Sequence, residues 1–373
     1  MAQVTREQRD EVIKKFRYEG ELISVGTYGS GHINDTYLLV FETAKMGQVK
    51  VILQRMNRIV FERPVELMEN ITGVTSHLRK KIIENGGDPD RETLNVIPAA
   101  DGKPYYRDPL GDYWRSYKFI TDATSYDQVE KPEHFYQSAV AFGHFQRLLA
   151  DYPAETLHET IKGFHDTKAR FQVFKEAVEK DCVNRAASVK DEIQFVLERE
   201  ETANFFSGLL SRGELPIRVT HNDTKLNNIM IDNKTGKGIC VIDLDTVMPG
   251  LAVNDFGDSI RFGASTAAED ETDLSKVLCS MELFELYAKG FIKGCGGKLT
   301  DKEIEFMPMG AKAMTFECGI RFLTDYLQGD TYFKIHRENH NLDRCRTQFK
   351  LVEDMEHKWY TMKEIIEKYS SLT

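Results

Sequence analysis

VTHNDTKLNNIMIDNKTGKGICVIDLDTVMPGLAVNDFG, running from Val219 to Gly257, is the stretch that decides the reading of this chain. His221 stands two residues before Asp223, and Asn228 five after it. An apolar run, Ile239 to Ile242, then delivers Asp243, fifteen residues beyond Asn228. That interval suits two short strands joined by a tight turn, and Asp232-Asn233-Lys234-Thr235-Gly236 supplies the turn chemistry. Such a hairpin sets Asn228 and Asp243 side by side. The bland alternative is a polar helix-capping loop followed by an ordinary strand end. The apolar strand, the second aspartate and the NDFG segment favour a site, because a motif counts with its context.

The His-x-Asp-x4-Asn spacing resembles the catalytic loop of kinases, and the residue types suit phosphoryl transfer. A γ-phosphoryl group in flight carries spread negative charge, so catalysis is mostly positioning and electrostatic stabilisation. Mg²⁺ is a hard cation, and one carboxylate plus one amide oxygen leave room for phosphates and water. Asn228 and Asp243 are therefore the expected metal ligands. Asp223 is the expected catalytic base, orienting the acceptor hydroxyl and taking its proton late in the transfer. His221 is expected to hold the loop by hydrogen bonds.

The chain resembles the aminoglycoside phosphotransferase and choline kinase superfamily, in which an isoleucine-aspartate pair, here Ile242-Asp243, stands where protein kinases carry DFG. A closer resemblance is to the N-acetylhexosamine 1-kinases. The matching pieces are GHINDTY (Gly31 to Tyr37), YKFI (Tyr117 to Ile120), FHDT (Phe164 to Thr167), RVTHNDTKLNNI (Arg218 to Ile229), IDLDTVMPG (Ile242 to Gly250), DFGDSIRFGAS (Asp255 to Ser265) and ECGIRFLTDYLQGDTYF (Glu317 to Phe333). The resemblance implies a two-lobed, protein-kinase-like α+β fold with a small β-rich N-terminal lobe and a larger, mainly helical C-terminal lobe. It also implies ATP as co-substrate, Mg²⁺ as cofactor and a small sugar as acceptor.

Patterning agrees. At 373 residues the chain suits two lobes with a cleft between them. Residues 5–18 read as an amphipathic helix, 64–84 as a second helix closed by Asn85-Gly86-Gly87, with strands at 22–28, 35–41, 50–55, 95–98, 104–107 and 113–120. Beyond Thr121 long helical patterns take over, at 133–150, 167–180, 189–211, 272–293, 301–328 and 345–369. The expected division is a nucleotide-binding lobe at 1–120 and a catalytic and substrate-binding lobe at 121–373, hinged near Ile120 to Asp122. Phe119 and Ile120 beside the hinge are nucleotide-binding candidates. A net charge of −10 argues against a nucleic-acid partner. The first twenty residues lack the apolar core of a signal peptide, no apolar run approaches membrane-spanning length, and six scattered cysteines form no CxxC pair. The expectation is a cytoplasmic protein with reduced, mostly buried cysteines and no membrane partner.

The segment Gly26 to Asn34, GTYGSGHIN, sits where a phosphate-covering loop belongs. Glycine lets backbone N–H groups approach phosphate oxygens with no Cβ in the way, so Gly29 and Gly31 are nucleotide-binding candidates. One departure matters. Protein kinases and many relatives hold phosphate with a lysine at the end of the third strand, whereas here that strand reads VILQR and puts Gln54 in place, with Arg55 adjacent. Strand alternation points these two to opposite faces, so Gln54 is the nucleotide-side candidate. A neutral amide brings hydrogen bonds but no charge.

For the acceptor, His32 and Asn34 follow the glycines, Asp223 meets the hydroxyl, and Arg321 and Tyr326 lie on a late helix with Glu317 and Asp325. Glu317, Arg321 and Asp325 are equally readable as i,i+4 surface pairs. Asp255 and Asp258 read as structural, bracing the catalytic loop. Three functions stay open: a kinase for the anomeric hydroxyl of N-acetylglucosamine or N-acetylgalactosamine, another small-molecule kinase of the same fold acting on an amino alcohol, another sugar or an aminoglycoside, and a non-catalytic binding module.

Overall fold

Alternation of apolar and polar side chains builds the first layer of the molecule. The computed structural model describes residues 3–29 and 33–371. After helix α1 (Arg6–Ile13) come strands β1 (Glu21–Thr27), β2 (Asp35–Thr43) and β3 (Gly47–Arg55), then helices α2 (Pro64–Glu84) and α3 (Pro89–Glu92), then β4 (Tyr106–Arg107) and β5 (Tyr113–Lys118). The five strands form one antiparallel sheet in the order β1-β2-β3-β5-β4. Tyr37, Leu39, Phe41, Val51, Leu53 and Trp114 point to one face and bury Val12, Ile13 and Phe16 against it. On the opposite face Ile52 and Tyr117 pack with Leu67, Met68, Ile71 and Val74 of α2 in a cluster that runs on into the helical part of the chain. The alternation separates Gln54 from Arg55 as expected: Arg55 is buried on the α1 side, paired with Asp35 and Asp112.

The chain then crosses through β6 (Ala123–Thr124) into helices α4 (Pro132–Leu148), α5 (Thr167–Lys180), α6 (Lys190–Leu197) and α7 (Glu200–Ser211). Four short strands follow, β7 (Arg218–Thr220), β8 (Ile229–Asp232), β9 (Gly238–Val241) and β10 (Met248–Gly250). Helices α8 (Ala252–Gly263), α9 (Met281–Cys295), α10 (Asp301–Glu305), α11 (Met307–Leu327), α12 (His340–His357) and α13 (Trp359–Ser370) complete the chain. This is a kinase-like α+β fold, with a β-rich N-terminal lobe and a helical C-terminal portion. None of its helices is long and apolar enough to cross a membrane, among the described residues.

Local signals override long periodicities at several points. The 301–328 pattern breaks at Phe306, just ahead of Pro308, because proline suits the first turn of a new helix. The 189–211 and 345–369 patterns break likewise at Glu198-Arg199 and at Lys358. Helix α1 is shorter than 5–18 because Phe16 bridges to Ala99 instead. Residues 95–98 join β5 through a single bridge, Val96 to Tyr117. Helix α8 lies outside the predicted helical patterns, although Val253, Phe256 and Ile260 recur at helical spacing along it.

Glycines let the central helices approach to backbone distance. A Cβ on Gly257 of α8 would overlap the carbonyl oxygen of Gly310 on α11, and a Cβ on Gly310 would overlap that of Val253. Overpacking of this kind costs about 1–3 kcal/mol. Gly257→Ala is therefore expected to lower the unfolding free energy by that amount, read by urea titration as a lower midpoint with an unchanged m-value. A neutral result would mean that the two helices part without cost.

Candidate active site

The loop after β7 is held by backbone bonds to the first turns of α8. The Asp255 carboxylate accepts the amide hydrogens of His221 at 2.9 Å and Asn222 at 2.8 Å, and Asp258 accepts that of Thr224 at 2.9 Å. Ser259 Oγ donates to the Thr224 carbonyl at 2.6 Å. His221 is buried, with its Nε2 2.9 Å from the Ile242 carbonyl oxygen. These contacts match the bracing roles expected of Asp255, Asp258 and His221.

The β8–β9 hairpin forms as the turn residues predict, and the Ile242 amide donates to the Asn228 carbonyl at 2.9 Å. Asn228 Nδ2 donates to the Asp223 carbonyl at 2.7 Å and to Asp223 Oδ2 at 3.2 Å. With the amide nitrogen so committed, its Oδ1 accepts no hydrogen bond among the described residues. Asp243 has φ 57°, a left-handed turn that swings its carboxylate out of the strand direction. Surrounding protein displaces water from that carboxylate, and Asp245 and Asp223 add negative charge, so its pKa is pushed up to about 6. A carboxylate raised by crowding and without a hydrogen-bond partner, beside a free amide oxygen, fits a hard divalent cation. The described residues hold no group of three or more His, Cys, Asp or Glu suited to a metal. A cation here would complete its shell with phosphate and water, as Mg²⁺ prefers.

Lys225 went unremarked in the sequence. Its Nζ lies 2.7 Å from Asp223 Oδ1. Burial would lower its pKa, but the Asp223 and Asp258 charges hold it above the ordinary lysine value. The Asp-x-Lys spacing was the available signal.

The roof of the cleft is the open face of β3 and β5. Gln54 Nε2 donates to Thr36 Oγ1 at 3.0 Å, and Gln54 Oε1 accepts from Arg115 Nε at 3.0 Å. Arg115 forms a two-pronged ion pair with Asp245. Asn34 Nδ2 donates to Asp245 at 2.8 Å while its Oδ1 accepts the Asn57 amide at 2.9 Å, so Asn34 is a strut under the glycine-rich turn. That use leaves its side chain committed to the protein and not free for an acceptor. Gly29 sits at φ 81°, which favours glycine. Gly31 and His32 lie outside the described residues. Tyr28 meets the Phe119 ring edge-on at 5.6 Å, and Ile120 packs with Met230 and Ile242, so the crossing from β5 to β6 is lined with apolar side chains.

The model of the phosphotransferase enzyme family, APH, matches residues 25–275, more than half of the chain and all of this catalytic core. The chain belongs to that family. Among solved structures, this phosphotransferase is similar to an aminoglycoside phosphotransferase from Alicyclobacillus acidocaldarius (TM-score 0.61, 12% identity, 99% of this chain and 98% of that one). It is also similar to an amicoumacin kinase solved with AMP-PNP and Ca²⁺ (TM-score 0.57, 12% identity, 99% and 98%). An ethanolamine kinase of Plasmodium vivax is a third (TM-score 0.54, 15% identity, 87% and 82%). At these identities the likeness establishes the fold of small-molecule kinases.

On the far wall, the phosphotransferase departs from the surface-pair reading of α11. Glu317 is buried, its carboxylate 2.9 Å from His165 Nδ1 and accepting Thr167 Oγ1 at 2.7 Å. His165 Nε2 lies 3.0 Å from the Asn222 carbonyl oxygen, next to Asp223. Asp325 is buried too and accepts the amides of Thr331, Tyr332 and Phe333, fixing the loop after α11. Arg321 lies 5.4–5.9 Å from the rings of Phe164, Tyr332 and Phe333. Arg170 stands near it, lowered in pKa by burial and by the Arg321 charge, and its Nε is buried without a hydrogen-bond partner. Tyr326 does not join this set. Its ring is in the core formed by α5, α6, α11 and α12, beneath Arg185 at 4.4 Å, and Tyr332 takes the place beside Arg321 expected of it. A cavity of about 740 Å³ lies elsewhere, among Lys81, Arg147, Arg218 and Lys298.

His165 gives a pH signature. Burial alone would lower its pKa, but the Glu317 charge and hydrogen bond and the Asn222 carbonyl raise it above 6.5. A raised folded-state value means that this contribution to stability is complete below 6.5 and is lost as pH rises through the higher folded pKa. His165→Gln is expected to flatten the fall in melting temperature above that pH. Parallel melting curves for the two proteins across the range would show that His165 is not ionised in the folded state.

Proposed function

We propose that this phosphotransferase moves the γ-phosphoryl group of ATP to the anomeric hydroxyl of an N-acetylhexosamine, giving the sugar 1-phosphate. In this reading residues 1–120 bind nucleotide and residues 121–373 bind the acceptor. The adenine base lies against the apolar side chains at Phe119 and Ile120, with Gly29 and Gln54 on the phosphate side. Asn228 Oδ1 and the Asp243 carboxylate hold Mg²⁺, which when bound neutralises phosphate charge and aligns the transferring group. Asp223, fixed between Asn228 and Lys225, orients the acceptor hydroxyl and takes its proton as the new bond forms. Lys225 Nζ lies against one oxygen of that carboxylate. A hemiacetal hydroxyl is more acidic than an ordinary alcohol, so a carboxylate is an adequate base.

The observation that carries the choice of acceptor is the far wall. The Arg321 guanidinium stands among the rings of Phe164, Tyr332 and Phe333 with Arg170 near it, while Glu317 and Asp325 are consumed by internal bonds. A cationic amino alcohol would meet positive charge there, with the Glu317 and Asp325 carboxylates already taken. A neutral sugar offers an acetamide oxygen and hydroxyls to the guanidiniums and a ring face to the aromatics. The seven sequence pieces shared with N-acetylhexosamine 1-kinases support the same choice.

The test is to incubate the protein with ATP, Mg²⁺ and N-acetylglucosamine and to locate the phosphate by phosphorus–proton NMR coupling. Coupling to the anomeric proton is expected, and glucose and galactose are expected to lose kcat/KM against their N-acetyl forms, because remote binding energy is realised at the reacting centre. Phosphate on O6, or ready turnover of an amino alcohol or aminoglycoside instead, would move the protein to another specificity of the same fold.

A further inference from the structure

The third strand offers Gln54 where a phosphate-holding lysine would stand, and Arg55 is turned away into its pairs with Asp35 and Asp112. Directly across the sheet, the β5 residue in register with Gln54 is Arg115. Its side chain is 2% exposed, within hydrogen-bond reach of Gln54 and paired to Asp245, two residues beyond the candidate metal ligand Asp243. A guanidinium has five N–H donors. Three are used here, one on Gln54 and two on Asp245, which leaves two for a ligand. In protein kinases the third-strand lysine is itself ion-paired to a glutamate of the neighbouring helix. Helix α2 supplies no such partner: Glu66 pairs with Arg63, Glu69 with His158 and Glu84 with Lys80.

We propose that Arg115 is the cation that holds the nucleotide phosphates in this phosphotransferase, with Asp245 as its fixed counter-ion and Gln54 as its aligning hydrogen-bond partner. The proposal rests on the ATP-dependent reading above. The pair keeps the function of a lysine–glutamate pair but moves both charges, the cation from β3 to β5 and the anion from the helix to the segment after Asp243. A buried ion pair is poor evidence of added stability, since well-packed apolar residues often do as well in its place. Its position among Asp223, Asp243 and Asp245 gives it another use. That corner is rich in carboxylates and has to admit a polyanion. A planar guanidinium clamped on one edge by Asp245 keeps its remaining N–H groups aimed and matches phosphate oxygens geometrically as an ammonium does not. Asn34, on the same carboxylate, couples the glycine-rich turn to the arrangement.

The experiment is equilibrium binding of ATP, ADP and adenosine in the presence of Mg²⁺, without turnover. Removing Arg115 alone would strand a buried carboxylate, so Arg115→Met/Asp245→Asn is compared with Asp245→Asn, with Arg115→Lys as the milder variant. Loss of a charged hydrogen bond to phosphate is expected to weaken ATP and ADP by about tenfold to a hundredfold and to leave adenosine unchanged. Arg115→Lys should restore part of the loss, having the charge but not the planar geometry. Equal weakening of ATP and adenosine would make Arg115 a merely structural residue, and unchanged ATP affinity would remove it from the phosphate site. If the double variant does not fold, or if Asp245→Asn already abolishes ATP binding, the ATP-to-adenosine ratio of Arg115→Lys decides by the same criterion. A wild-type protein that binds ATP no better than adenosine would instead overturn the ATP-dependent reading itself.

Discussion

Exchanging Asp223 for asparagine is expected to lower kcat by about two to four orders of magnitude, the range for losing a positioned base, with little change in the KM for sugar. Asparagine has the same shape, and its oxygen can still accept from Lys225. The Asn228 bond to the residue 223 carbonyl involves only backbone on that side and survives. What disappears is the ability to take a proton and the charge that orients the hydroxyl. Initial rates with ATP and N-acetylglucosamine read the effect. A kcat within a few-fold of wild type would show that Asp223 is not the catalytic carboxylate.

A comparable loss is expected at the metal ligands, with a difference between them. Asp243→Ala should abolish turnover at any practical Mg²⁺ concentration, because it removes the charged donor. Asn228→Ala should leave a remnant that added Mg²⁺ or Mn²⁺ partly restores, since an amide contributes only a dipole. Asn228 also clamps Asp223, so its remnant should carry a lowered kcat even at saturating metal. Titrating metal against initial rate separates the two. Equal losses that no metal concentration relieves would count against both assignments.

The parts of this arrangement that sequence makes legible are the local ones. Asn228 and Asp243 meet because a hairpin of set length folds between them, and Asp232 to Gly236 announce the turn. Arg115 is invisible in the same way, since its partner Asp245 is 130 residues distant and nothing in YWRSYK marks a charge for the cleft. Glu317 and Asp325 were equally readable as surface pairs, because i,i+4 spacing is the same whether a helix face is wet or buried. Burial came from His165 and from the loop at 331–333, both contributed by other segments. Tyr326 failed as a neighbour of Arg321 for a geometric reason. Five residues along a helix turn a side chain by about 140° from the first, onto a different face.

The contact of Gly257 with Gly310 has a consequence for how such an enzyme changes its substrate. Through it α8, which grips the catalytic loop by Asp255 and Asp258, is locked at backbone distance to α11, which presents Glu317 and Arg321. On the proposed reading, chemistry and one wall of the acceptor site are thus a single casting, and a shift of α11 to admit a larger molecule would drag Asp223 out of line. Room for novelty lies in the pieces docked onto that casting: the 164–170 segment with Phe164 and Arg170, and the 331–333 loop with Tyr332 and Phe333. Divergence among descendants of this protein, and productive libraries built from it, should concentrate there.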